Sequence, residues 1–131
     1  MNRGAVTSAK RVVIKIGSSS LTGSAGSGLD PHAVQKIVDL AYALKKRGAE
    51  VVLVSSGAIA AGLAPLGLKV RPKDLATQQA AASVGQGLLI AQYGEKFNAH
   101  GVISSQVLLT TEDIVRRSHY ANAQQTLSKL L

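Results

Sequence analysis

Residues 11–55 read RVVIKIGSSSLTGSAGSGLDPHAVQKIVDLAYALKKRGAEVVLVS, and this stretch decides the fold. Its start, Arg11 to Gly17, is short, β-branched and apolar at consecutive positions, the pattern of a strand buried on both faces. The glycine- and serine-rich run from Gly17 to Gly28 is predicted as loop. Asp30 then offers an N-cap and Pro31 a first helical position, and Val34, Ile37, Val38, Ala41 and Leu44 recur at helical spacing. Lys45, Lys46, Arg47 and Gly48 supply a basic last turn and a terminating glycine. Val51 to Val54 forms a second buried strand. Strand, helix and strand in succession make a βαβ unit with parallel strands and a right-handed crossover. The fold class is therefore α/β, a parallel sheet with helices on both faces.

Outward from that unit, Ala58, Ala60, Ala61 and Gly62 form a run of small residues, followed by a loop to Lys73. A helix is expected from Asp74 through Ala82. Gly85 and Gly87 punctuate the pattern, so a separate helix is predicted from about Leu88 to Asn98, ended by His100 and Gly101. Val102 to Leu109 reads as a third strand, more polar than the first two because of Ser104, Ser105 and Gln106. Thr110 or Thr111 can cap a short helix over Glu112 to Val115, and Ser118 a last one that is still running at Leu131. There Leu127, Leu130 and Leu131 leave an apolar helix face at the terminus, so the chain is expected to stop inside a longer domain.

With 131 residues, 46% of them hydrophobic, there is enough apolar surface for one compact core, which excludes a disordered chain. Fifteen basic against seven acidic residues give a net charge of +8, a sign suited to nucleic acid, an anionic membrane or small anionic substrates. The charges are scattered in small groups (Lys10/Arg11, Lys45 to Arg47, Lys69 to Lys73, Arg116/Arg117), as expected of solvated helix ends and loops. Three Tyr, one Phe and no Trp argue against a base-stacking platform, and no nucleic-acid partner is expected. Without cysteine there is no disulfide framework, thiolate ligand or Cys nucleophile. The opening MNRGAVTSAK lacks the apolar core of a signal peptide or membrane helix, which points to a cytoplasmic protein with a loose N-terminal tail and no membrane partner. His32, His100 and His119 show no metal-ligand spacing. Glu112 and Asp113 suit the first turn of a helix better than acid/base work. Tyr42 and Phe97 read as packing residues.

The Gly/Ser loop invites a phosphate-site reading, since such turns expose backbone N–H groups to anions. Gly23 and Gly28 have the separation of the two P-loop glycines, but Leu29 and Asp30 stand where Lys and Ser/Thr are required. After Gly26-Ser27-Gly28 come Leu29, Asp30 and Pro31, which breaks the dinucleotide-binding pattern as well. What remains is Lys15, a cation inside an otherwise apolar strand, near the carboxyl edge where ligands gather in open parallel sheets. It reads either as a phosphate-binding lysine or as a snorkelling side chain on an edge strand. Ser55-Ser56-Gly57-Ala58 lies at the carboxyl end of the second strand and so at the same edge. It offers hydroxyls and close backbone approach to a carboxylate or phosphate, or else an ordinary serine helix cap.

VIKIGSSSLT, VSSGAIAAGLAPLG, QQAAASVGQGLLI, SSQVLLT and HYANAQQTLSKLL, in this order and spacing, resemble the successive signatures of the glutamate 5-kinases in the amino-acid kinase family. The resemblance covers nearly the whole chain from Arg11. The first motif is shared in looser form by related kinases of acetylglutamate, aspartate, carbamate and uridylate, whereas the second is much more specific. The resemblance implies a three-layer amino-acid kinase sandwich, here incomplete. The layout it implies is a flexible tail over residues 1–10 and the N-terminal part of a kinase domain over 11–131, with the C-terminal ATP-binding part absent. It implies transfer of the γ-phosphoryl of ATP, with Mg2+, to the side-chain carboxylate of L-glutamate, the entry to proline biosynthesis. By motif, Lys15 resembles the lysine that touches the transferring phosphoryl. Gly17 and Ser18 resemble loop residues that hold the phosphates, and Ser56, Gly57 and Ala58 the segment that holds glutamate. A homo-oligomer and feedback inhibition by proline are implied too. Two alternatives stay open: an inactive, binding-only fragment of the same family, and a kinase of a related substrate such as acetylglutamate.

Overall fold

The computed structural model describes residues 4–22 and 28–131. Within the expected tail, α1 (Gly4–Thr7) is a single helical turn. The centre of the molecule is β1 (Arg11–Ile16) and β2 (Glu50–Ser55), paired in parallel with Val12 opposite Val51, Ile14 opposite Leu53 and Ile16 opposite Ser55. Between them runs α2 (Pro31–Lys46), so the βαβ reading of residues 11–55 holds. Its ends follow the sequence: Asp30 Oδ1 accepts from the His32 N–H at 2.8 Å, and Gly48, at φ +82°, turns the chain out of the helix.

Strand alternation sends Val12, Ile14, Ile16, Val51 and Leu53 to one side of the sheet and Val13, Lys15, Val52 and Val54 to the other. The first side is covered by Val34, Val38 and Ala41 of α2 and by Leu89, Tyr93 and Phe97 of α4 (Leu75–Ala99). The second is open, with Val13 60% and Val54 47% exposed. Of the helical layers expected on both faces, the described residues supply one. The consecutive β-branched residues of β1 thus signal a sheet meant to be covered twice.

Three further expectations change. The residues read as two helices around Gly85 and Gly87 form one continuous helix, α4, capped by Asp74. Gly85 is a contact point: a Cβ there would stand 1.8 Å from the Ala58 carbonyl oxygen of α3 (Ala58–Leu63), and one at Gly62 of α3 would stand 1.9 Å from that of Ala81. Two helix backbones meet where neither has a side chain, which a reading of glycine as a helix breaker misses. Val102 to Leu109 forms no strand among the described residues, because its backbone has no ladder partner and Ile103 is 97% exposed. After it, α5 (Thr111–Val115) starts on a capping box between Thr110 and Asp113. The last helix, α6 (Arg117–Leu130), starts at Arg116 with no side-chain cap, so Ser118 lies inside its first turn rather than capping it. None of the helices of the described residues is long and apolar enough to cross a membrane.

Candidate functional site

β1 and β2 end side by side, and the two predicted groups of site residues lie on that shared edge. Parallel pairing puts Ile16 opposite Ser55, which leaves Gly17 and Ser56 as the next residues out. Ser56 then clamps the edge: its N–H and its hydroxyl both donate to the Ile16 carbonyl, at 3.0 and 2.9 Å. The hydrogen bonding thus joins Ser56 to Ile16, the neighbour of Lys15, and keeps the ends of the two motifs adjacent.

On the β1 side, Lys15 is exposed on the open face and forms no ion pair among the described residues. It is neither buried nor neutralised by a carboxylate, so its charge is available to an anion. Gly17 leads into a 3-10 turn, Ser18–Ser20, closed by the Ser20 N–H on the Gly17 carbonyl and the Leu21 N–H on that of Ser18. The N–H groups of Gly17, Ser18 and Ser19 have no partner among the described residues. Three consecutive open donors beside a free lysine suit phosphate oxygens. The chain returns through a Thr22/Leu29 bridge, and the Gly28 N–H donates to the Ala60 carbonyl of α3 at 3.0 Å. That bond ties the loop to the same helix that starts at the Ser56 turn. Residues 23–27, with the Gly23 and Gly26-Ser27 of the rejected motifs, lie outside the described residues.

On the β2 side, Gly57 sits at φ +113°, ψ −3°, a conformation that favours glycine. A Cβ there would also press to 3.3 Å from Leu21 Cδ1. The Gly57 and Ala58 N–H groups have no partner among the described residues, although Gly57 is buried. An N–H without a partner on a buried residue is uncommon and suits a ligand acceptor. Since the Ile16 carbonyl can only accept, the Ser56 hydroxyl has spent its proton there and presents lone pairs to anything else. The turn therefore offers an acceptor at Ser56 beside donors at Gly57 and Ala58, a pattern complementary to the ammonium and carboxylate of an amino acid.

Sequence reasoning overlooked Tyr93. Its hydroxyl lies 3.1 Å from Ser55 Oγ, and burial raises the phenol above its ordinary value of 10.0, partly offset by the Ser55 hydrogen bond. The available signal was its place on α4, one helical turn from both Leu89 and Phe97, which carries it to the sheet. Tyr42, read as a packing residue, stacks on His100 at 4.2 Å, and Phe97 is core. His100 also meets Asp39 at 3.2 Å and His119 meets Asp113 at 3.4 Å, as surface pairs. Among the described residues no three His, Cys, Asp or Glu gather as metal ligands.

Comparison with known proteins agrees with the geometry. The model of the amino acid kinase family matches residues 10–131. A glutamate 5-kinase of Salinispora arenicola is 64% identical over 129 residues, 98% of this chain and 35% of that protein. Those of Streptomyces coelicolor and Thermobifida fusca are 60% and 56% identical, again over 98% of this chain and 34% and 33% of theirs. The chain thus spans about a third of the length of these curated relatives. From its parallel sheet edge, its matched signatures and these relatives, the chain belongs to the amino acid kinase family.

Proposed function

We propose that this chain is the N-terminal part of a glutamate 5-kinase, which transfers the γ-phosphoryl group of ATP to the side-chain carboxylate of L-glutamate. A carboxylate oxygen forms the new O–P bond, the bond from the γ-phosphorus to the bridging oxygen breaks, and its electron pair leaves with ADP. The product is γ-glutamyl phosphate, the first intermediate toward proline. The observation that carries this reading is the clamp of Ser56 on the Ile16 carbonyl, which holds an amino-acid-complementary turn against a phosphate-complementary one. The relatives' name, glutamate 5-kinase, supplies the substrate.

The residues contribute by position and charge. The nucleophile is already ionised, so no protein base is needed, and proximity with electrostatics does the catalysis. Lys15 offsets charge on the equatorial phosphoryl oxygens, and the N–H groups of Gly17 and Ser18 hold phosphate oxygens. Ser56, Gly57 and Ala58 hold the amino-acid end of glutamate. Magnesium bound with the nucleotide supplies further charge neutralisation, and no carboxylate cluster among the described residues competes for it. The family likeness assigns the rest of the ATP site to the part of the relatives' length that this chain does not match. Homo-oligomer formation, feedback by proline and a cytoplasmic location rest on the family likeness.

The test is ADP formation by the full-length protein with glutamate, acetylglutamate and aspartate offered separately. Glutamate-dependent turnover well above the other two supports the reading. Preference for acetylglutamate assigns the related kinase instead, and no turnover with any acceptor assigns a binding-only role.

A further inference from the structure

The Ser55–Ser56 edge is held by a second device that the clamp on Ile16 does not explain. The Ser55 hydroxyl lies 3.1 Å from the Ser56 carbonyl oxygen and 3.1 Å from the Tyr93 hydroxyl. A carbonyl can only accept, and a serine hydroxyl has one proton, so Ser55 donates to the Ser56 carbonyl and Tyr93 donates to Ser55. The direction of the whole chain follows: Tyr93 O–H to Ser55 Oγ, Ser55 O–H to the Ser56 carbonyl. Each link polarises the next, and such chains strengthen cooperatively in part-buried surroundings. The Ser56 carbonyl and the Gly57 N–H belong to one planar trans peptide and point in opposite directions, so fixing one fixes the other. Tyr93 is itself held firmly, on a long helix packed backbone to backbone against α3 and with its ring stacked near Phe97 at 6.3 Å.

We infer that Tyr93 is a positioning residue for the amino-acid substrate: through Ser55 it sets the Ser56–Gly57 peptide plane, and hence the aim of the orphaned Gly57 N–H. Tyr93 touches neither substrate nor nucleotide in this account. Its role rests on the reading of Ser56 to Ala58 as the glutamate-holding turn. The raised phenol keeps the donor protonated throughout the neutral range, so the chain does not weaken within it.

The experiment is steady-state kinetics on the full-length protein with Tyr93→Phe, Ser55→Ala and the double variant. Tyr93→Phe keeps the ring and removes only the donor. The expected result is a rise of about fivefold in the KM for glutamate, the worth of one hydrogen bond. The KM for ATP and kcat should stay within about twofold, since neither the phosphate loop nor Lys15 is touched. Ser55→Ala should give the same pattern, and the double variant no more than the larger single effect, because all three break one chain. Should Tyr93→Phe fold poorly, Ser55→Ala tests the chain from its exposed end. An active wild type whose glutamate KM is unmoved by both single variants overturns the inference alone. So does a variant that loses kcat and both KM values together, or a double variant with additive effects. A wild type with no glutamate-dependent turnover overturns the functional reading, and the inference with it.

Discussion

At the scale of single residues, the site depends on how a few hydrogen-bonding groups are used up. Ser56 spends its proton on Ile16 and Ser55 spends its own on the next peptide, which leaves the Gly57 and Ala58 N–H groups as donors of the turn without a partner among the described residues. Any replacement of Gly57 is strained on backbone grounds. Gly57→Ala must hold φ near +113° and press Leu21, so it should cost about 1–3 kcal/mol in urea unfolding. A stability equal to wild type contradicts the assigned conformation. Tyr93 makes a pH prediction with a definite sign. Its phenol is raised on folding, so the folded state holds the proton more tightly than the unfolded chain. The stabilisation is complete below the unfolded value of 10.0 and is lost as pH rises through the folded value. Between pH 9 and pH 11 the wild type should therefore lose more stability than Tyr93→Phe, measured as the shift in urea midpoint. The Ser56–Gly57 turn was legible as a motif, but its link to Tyr93 was not. A sequence shows that Ser55 and Tyr93 exist, but their meeting depends on how α4 lies across the sheet.

At the scale of elements, what the sequence revealed was local and what it hid was contact. The strands, α2 and its Asp30 and Gly48 ends could be read from neighbours along the chain, as could the Thr110 cap of α5. Gly85 was misread because its reason lies on another helix. Paired variants separate the two meanings of glycine in α4. Gly85→Ala drives a methyl into the Ala58 carbonyl and should destabilise by about 3 kcal/mol or more, while splaying α3 and the Ser56 turn from their place. Gly87→Ala meets nothing within 4 Å and should stabilise by about 0.5–1 kcal/mol through helix propensity. Opposite signs two residues apart, seen in chemical denaturation, are the mark of backbone packing. Equal signs contradict it. The expected third strand failed for a related reason: Val102 to Leu109 has apolar residues at both ends but no ladder beside it, and composition alone does not make a sheet.

At the scale of the whole molecule, the two proposed site motifs share one edge of the sheet, and among the described residues one face of it is bare. Lys15 projects on the same open side as Val13 and Val54, where a second layer was expected. The sequence made the α/β class and the site's two motifs readable, because each is a short run with its own pattern. It could not show that Ser56 would tie the motifs together, which is a property of strand register. Lys15 is exposed and makes no ion pair among the described residues, so removing it should leave stability within about 0.5 kcal/mol of wild type while, on the proposed function, depriving the transferring phosphoryl of a fixed cation. The most direct test traps the product: full-length wild type and Lys15→Ala are incubated with ATP, Mg2+, glutamate and hydroxylamine, and γ-glutamyl hydroxamate is measured. The account predicts hydroxamate from the wild type that requires both ATP and glutamate, and a loss of about 100-fold or more in a Lys15→Ala protein that melts normally. Hydroxamate formed by Lys15→Ala at the wild-type rate, or none formed by the wild type, would contradict it.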